Sequence, residues 1–223
     1  MPSIASVIQG ITPPYFVRGY QMVKRVVNPP LSKKNLLNGF LFDGDDKLYK
    51  SILADCSLYG EYGCGKSTLW VARNTNADIY SVDTSLEWVH KVKDILLPEK
   101  DLEGLVWVDL GEVGSWGTPI SYINRRNIAD YVNSPWSRGS RKPDTVLIDG
   151  RFRVACFLSS LLHSEPGTKI MFDDYADRKK YHIAEEYCQV EDRCGRQALF
   201  VVPSNIDKSA VESELNKFYY VMD

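Results

Sequence analysis

Short apolar runs alternate with amphipathic segments from about residue 45 to the C-terminal end of the chain. The runs predict strands at 57–62, 78–82, 105–108, 145–148, 169–172, 198–202 and 217–222. Apolar residues at a helical period predict helices at 45–53, 67–73, 85–97, 154–162, 179–190 and 207–215, with a short one at 125–132. Strands that alternate with helices indicate a mostly parallel α/β sheet covered by helices on both faces.

Residues 1–43 do not show this alternation. Two Pro-Pro pairs, at 13–14 and 29–30, bracket an aromatic and basic segment at 15–27. We interpret residues 1–43 as an N-terminal arm and helix packed on a core domain of residues 44–223. The alternative is an amphipathic segment that contacts a membrane surface or a partner.

A glycine turn lies between the first predicted strand and the first helix of the core. Gly63, Cys64 and Gly65 follow the strand, and Asp83 ends the next strand, 20 positions after Gly63. Glycines let the backbone approach a ligand closely, and the following helix offers unpaired N–H groups. A carboxylate at the position of Asp83 suits the two hydroxyls of a ribose.

The same stretch also matches a phosphate-binding loop. Gly60 to Ser67 fits the pattern G-x-x-x-x-G-K-[ST], in which Lys66 would pair with phosphates and Ser67 would hold magnesium. This pattern predicts a kinase or NTPase. Against it, the strand continues through Glu61 and Tyr62, and carboxylates at this edge would repel a triphosphate.

Four segments in order resemble the motifs of class I S-adenosylmethionine-dependent methyltransferases. They are Glu61-Tyr-Gly-Cys-Gly65, Ser81-Val-Asp-Thr-Ser85, Val106-Trp-Val-Asp109 and Asp144-Thr-Val-Leu-Ile-Asp149. The resemblance spans about residues 50 to 223 and departs from the family pattern at Lys66. It implies a three-layer α/β/α sandwich with a Rossmann-like sheet of about seven strands, the last of them antiparallel.

The resemblance also implies a cofactor, S-adenosylmethionine, and a set of residues that bind it. Glu61 would face the ammonium group of the cofactor, and Asp109 would accept from the adenine amino group. The implied cofactor-binding residues are Glu61, Tyr62, Gly63, Cys64, Gly65, Ser67, Asp83, Thr84, Asp109 and Leu110. The implied reaction is O-methylation of a small molecule or sugar, in an uncharacterised branch linked to surface glycans. A methyltransferase-like module without catalytic activity is the remaining alternative.

Carboxylates at two further strand ends are candidates for catalysis. Asp149 follows the fourth strand, and Asp173 and Asp174 follow the fifth, so all three meet at one sheet edge. They would remove the acceptor proton or bind Mg²⁺ through oxygen ligands. The alternative is that they serve as caps and ion-pair partners, for example of Arg178. Arg151 and Arg153 either pair with Asp149 or bind an anionic group of the acceptor.

Composition narrows the choice of partners. The 223 residues carry a formal net charge of −2, which argues against nucleic acid. No run is long enough to cross a bilayer, and no signal peptide is evident. Five scattered cysteines lack metal-ligand spacing and predict reduced thiols in the cytoplasm. We expect a small-molecule or sugar acceptor and allow for a homo-oligomer.

Overall fold

The fold is known from a computed structural model that describes residues 41–42, 45–97 and 102–222. The N-terminal arm predicted for residues 1–43 therefore lies, apart from Leu41 and Phe42, outside the described residues. In the part of the chain that is described, no helix is long and apolar enough to cross a membrane.

Helices and strands alternate along the core domain, as predicted. The strands are β1 (Leu58–Tyr62), β2 (Asp78–Asp83), β3 (Leu105–Trp107), β4 (Thr145–Ile148), β5 (Lys169–Phe172), β6 (Val190–Cys194) and β7 (Gln197–Val201). The helices are α1 (Lys47–Ile52), α2 (Lys66–Asn74), α3 (Leu86–Leu96), α4 (Ile128–Val132), α5 (Arg153–His163) and α6 (Lys208–Phe218). Short 3₁₀ segments lie at Ser115–Gly117, Arg125–Asn127, Ser134–Trp136 and Lys179–Glu186.

The seven strands form one sheet in the order β3-β2-β1-β4-β5-β7-β6. Strands β1 to β5 are parallel, and β7 runs antiparallel to both β5 and β6. The order reverses between β1 and β4, where the two strands lie side by side. In open parallel sheets a ligand crevice forms at the carboxyl ends of the strands at such a point.

Two apolar cores cover the two faces of the sheet. On one face, residues of β1, β2, β4, β5 and β7 pack with α1, α2 and α3. On the other face, residues of the same strands pack with α4, α5 and α6. Successive residues of a strand point to opposite faces, so the neighbours Val146 and Leu147 of β4 contribute to different cores. The predicted three-layer Rossmann-like sandwich with about seven strands is thereby confirmed.

The predicted C-terminal elements are partly wrong. The helix predicted at 179–190 is absent: Lys179–Glu186 form a 3₁₀ segment, and Val190 begins strand β6. Residues 217–222 do not form a closing strand, because Phe218 ends helix α6. The seventh strand is instead β6, which pairs with β7 across a tight turn in which Gly195 has a φ of +56°.

Candidate functional site at the carboxyl edge of the sheet

The glycine turn after β1 is tightly packed at Gly63 and has free space around Gly65. Gly63 has a φ of +91°, and a Cβ there would lie 2.8 Å from the Cα of Gly150 and 2.9 Å from the carbonyl of Asp149. A Cβ at Gly65 would meet nothing among the described residues within 4 Å. The turn therefore packs against the end of β4 at Gly63 and leaves room for a ligand at Gly65, where α2 begins.

Glu61 lies beneath the turn and is fully buried. Its carboxylate accepts hydrogen bonds from the hydroxyls of Tyr59 at 3.0 Å, Thr68 at 2.5 Å and Ser81 at 2.6 Å, and from Ser67. Burial raises the pKa of Glu61, and these hydroxyls oppose the rise. Four donors match the hydrogen-bonding capacity of one carboxylate. The geometry thus gives Glu61 a role in joining β1, α2 and β2.

Asp83 connects the end of β2 to the glycine turn. Its Oδ2 accepts from the backbone N–H of Cys64 at 2.9 Å, and its Oδ1 accepts from Ser85 at 2.7 Å. Burial raises the pKa of Asp83 to about 6, although both N–H bonds and the charge of Arg151 lower it. The carboxylate and the glycine turn therefore form one unit at the carboxyl edge.

A loop after β3 lies across the end of β2. The Thr84 hydroxyl donates to the carbonyl of Gly117 at 2.6 Å, and Trp107 Nε1 donates to the carbonyl of Thr84 at 3.1 Å. A Cβ at Gly117 would lie 2.6 Å from the Thr84 hydroxyl. Trp116 has a φ of +58° and is 61% exposed. The loop is thus packed tightly on Thr84 beside Asp83.

The remaining predicted cofactor residues differ in exposure. Asp109 is exposed, and its Oδ1 accepts from the N–H of Gly111 at 2.8 Å. Leu110 and Tyr62 are buried in the core on the α5 side of the sheet. The Tyr62 hydroxyl donates to the Val132 carbonyl at 2.6 Å. The side chains of Leu110 and Tyr62 therefore belong to the core.

Asp149, Asp173 and Asp174 meet at the ends of β4 and β5. One carboxylate oxygen of each lies within 4.8 Å of the other two. The Asp149 side chain is 33% exposed, Asp174 is 17% exposed and Asp173 is fully buried. Burial, and then the charge of Asp173, raise the pKa of Asp149 to about 8, although Arg153 opposes the rise.

Three arginines compensate these three carboxylates. Arg153 Nη2 lies 3.1 Å from Asp149 Oδ1 and 3.3 Å from Asp174 Oδ2. Arg196 donates to both oxygens of Asp173, at 3.1 and 2.7 Å, and Arg178 pairs with Asp174 at 2.7 Å. The ion pair between Arg178 and an aspartate that the sequence offered as an alternative is therefore present. The structure gives the predicted Mg²⁺ no support.

Arg153 and Arg151 lie in different surroundings. The Arg153 side chain is buried and also donates to the carbonyls of Gly150 at 3.0 Å and Asp173 at 2.8 Å. Arg151 Nη1 lies 3.4 Å from the Thr118 hydroxyl, on the loop after β3. Of the two predicted acceptor-binding arginines, Arg153 is therefore held within the carboxylate cluster, and Arg151 lies beside the loop after β3.

Two residues at this edge were not among the predicted site residues. Arg196 lies in the β6–β7 turn, where Gly195 was the available signal for a hairpin. The Tyr131 hydroxyl accepts from the N–H of Arg151 at 3.0 Å, and a Cβ at Gly150 would lie 2.1 Å from that hydroxyl. Tyr131 thus fixes the backbone between Asp149 and Arg151, a contact that no local pattern predicts.

No family model matches the sequence, and no curated protein matches it. Among solved structures, it is similar to a methyltransferase-like protein from Silicibacter pomeroyi, with 29% identity and a TM-score of 0.73. That match covers 82% of this chain and 98% of the other. It confirms the resemblance drawn from the four sequence motifs.

Two other structures are more distant. The O-methyltransferase TomG from Streptomyces achromogenes, solved with S-adenosylmethionine, has 13% identity and a TM-score of 0.47, over 71% of this chain and 77% of its own. A methyltransferase from Pyrococcus furiosus has 12% identity and a TM-score of 0.44, over 83% and 98%. Similarity at this level supports no inference about this chain.

Proposed function

We propose that this chain, whose fold and motifs resemble those of class I S-adenosylmethionine-dependent methyltransferases, transfers a methyl group from that cofactor to a hydroxyl of a small molecule or sugar. The observation that carries the proposal is the hydrogen bond between Asp83 and the N–H of Cys64. It holds the carboxylate that we propose to bind ribose against a glycine turn that is open at Gly65. Asp149 lies at the end of the adjacent strand β4.

The residues present fit the cofactor in their chemistry. Gly65 would let the donor approach the start of α2, because a side chain is absent there. Asp83 would accept from the ribose hydroxyls, since each of its oxygens has capacity beyond one N–H bond. The cofactor supplies an electrophilic methyl group when bound, and the protein mainly aligns the donor and the acceptor.

Asp149 is our candidate for proton removal. The acceptor hydroxyl must lose its proton as its oxygen bonds to the methyl carbon, so a base within reach speeds the step. Asp149 is the most exposed carboxylate of the three at this edge. Its raised pKa, about 8, gives it more affinity for that proton than an ordinary aspartate has.

The acceptor would contact Arg151 and the loop after β3. Arg151 suits an anionic group of the acceptor. Trp116 and Tyr122 on the loop are exposed. Flat aromatic faces suit sugar rings or aromatic acceptors. This combination supports a small polar acceptor with an apolar face.

Calorimetric titration with S-adenosylhomocysteine, and separately with ATP and Mg²⁺, tests the cofactor. We expect binding of S-adenosylhomocysteine alone, and a loss of affinity of at least about tenfold in Gly65→Ala, because its Cβ would enter the open space. Lys66→Ala serves as the control and should leave that affinity unchanged. Binding of ATP alone, abolished in Lys66→Ala, would overturn the proposal in favour of a phosphate loop.

The structure gives the phosphate-loop alternative no support, because Gly60 lies inside β1 and pairs with both β2 and β4. One observation favours a second candidate, a methyltransferase-like module without catalysis. The loop after β3 is hydrogen-bonded onto Thr84 beside the proposed ribose site. Failure to bind either ligand in the titration would favour this second candidate.

A further inference from the structure

The cluster of Asp149, Asp173 and Asp174 has the composition of a divalent-cation site, yet a guanidinium lies within it. Arg153 Nη2 bridges Asp149 Oδ1 and Asp174 Oδ2, at 3.1 and 3.3 Å. Its other nitrogens reach the carbonyls of Gly150 and Asp173. The side chain is only 3% exposed, so packing as well as charge keeps it there.

We infer that the guanidinium of Arg153 takes the place of a divalent cation among these carboxylates, so that the protein neither binds nor needs a metal ion there. An ion coordinated by Asp149 and Asp174 would have to lie about 2.0 to 2.6 Å from their oxygens, where it would meet a like charge already bonded to the same atoms. The inference deepens the proposed function, because it makes methyl transfer at this site independent of metal.

The other two arginines strengthen the argument without sharing the position of Arg153. Arg196 occupies both oxygens of the buried Asp173, which leaves that residue poorly placed to coordinate an ion. Arg178 reaches Asp174 from the solvent side and is 42% exposed. Arg178 therefore offers a matched control: its removal takes one positive charge from the cluster and leaves the central guanidinium in place.

The cation replacement is tested by titrating Mn²⁺ into the purified protein and following free Mn²⁺ by electron paramagnetic resonance. The wild-type protein and Arg178→Met should bind no Mn²⁺ that depends on Asp149. Arg153→Met keeps a long apolar stem but removes the charge, and it should gain one bound Mn²⁺ that the wild-type protein lacks. Adding Asp149→Asn to Arg153→Met should abolish that binding, and Mg²⁺ should compete for it.

Two results would overturn the inference. One is Mn²⁺ binding by the wild-type protein that Asp149→Asn removes. The other is a folded Arg153→Met variant that binds no Mn²⁺. If Arg153→Met does not fold in the absence of metal, Arg153→Gln serves as a second variant, and the thermal unfolding of both is measured with and without Mg²⁺. Stabilisation by Mg²⁺ supports the inference, and the absence of stabilisation in both variants contradicts it.

These measurements separate the inference from the proposed function, because they need no methyl transfer. Where methyl transfer is found, a metal chelator should leave the rate of the wild-type protein unchanged. A rate that chelation abolishes and Mg²⁺ restores would contradict metal independence while leaving the methyltransferase proposal intact.

Discussion

At the scale of single residues, the raised pKa of Asp149 predicts how the rate of methyl transfer depends on pH. Its pKa of about 8 lies well above the usual value for aspartate, near 3.9. As a base it acts only when ionised, so kcat/KM should rise about tenfold per pH unit below pH 8 and level off above. Rates measured from pH 6 to 9 check this, and Asp149→Asn should lower kcat by about 10²-fold or more.

A pH profile that is flat over this range would argue against Asp149 as the base. Asp78→Asn provides a control, because Asp78 is an exposed carboxylate paired with Arg141 away from the cluster.

The raised pKa of Asp149 also affects how the stability of the protein depends on pH. The protonated Asp149 contributes stability that is fully present below about pH 4 and is lost as the pH rises toward 8.

At the scale of elements, the β6–β7 hairpin stabilises the site through Arg196. Its guanidinium holds both oxygens of the fully buried Asp173. Removing one partner of a buried pair leaves an uncompensated charge, so Arg196→Ala should lower the free energy of unfolding by about 3 kcal/mol. Urea denaturation followed by circular dichroism measures the change.

Arg193 on the same hairpin is the matched control. It pairs with Glu185 at 3.0 Å, and both side chains are largely exposed. Arg193→Ala should cost no more than about 1 kcal/mol, as exposed pairs do. Equal losses of unfolding free energy in the two variants would show that the Arg196–Asp173 pair stabilises the protein no more than an exposed pair does.

The strands that the sequence predicted well are those whose residues are buried on both faces. Thr145 to Ile148 and Lys169 to Phe172 were predicted to the residue, because an unbroken short apolar run permits little else between helices. The edge strand β6 was missed for the opposite reason. Its central residues Glu191, Asp192 and Arg193 are exposed and carry no apolar pattern.

The pattern of apolar residues led to two wrong predictions in the C-terminal region, a helix at 179–190 and a strand at 217–222. Tyr181, Ala184 and Cys188 are buried at intervals that imitate an α-helix, but the chain from Lys179 is a 3₁₀ segment. The aromatic run from Phe218 resembles a strand, whereas it follows Val211 and Leu215 on a helix packed against α5. Periodicity cannot separate short buried helices from strands, and long-range packing decides between them.

The candidate site likewise contains residues that the sequence could predict and contacts that it could not. The strand-end carboxylates Asp83 and Asp149 follow from topology, so the sequence could place them. The partner of Asp173, Arg196, and one of the four partners of Glu61, Ser81, come from residues further along the chain. The sequence had no local signal for these two contacts.

At the scale of the whole molecule, one sheet serves both cores, so cofactor binding should stabilise the domain as a unit. S-adenosylhomocysteine at about 100-fold above its Kd would add about 2.7 kcal/mol. For a domain of this size that corresponds to a rise in Tm of about 5 to 10 °C. Differential scanning fluorimetry measures it, and at the same ligand concentration Gly65→Ala should lose about half of the rise or more while keeping the Tm that it has without ligand.

The position of β7 between β5 and β6 also affects when the site can fold during synthesis of the chain. A ribosome releases Asp149, Arg153, Asp173 and Asp174 before it releases Arg196, the partner of Asp173. Until the hairpin emerges, β5 has an open edge and a buried acid has no counterion. Folding of the site is thus deferred until the β6–β7 hairpin has been synthesised, and the growing chain carries an exposed strand edge that needs protection until then.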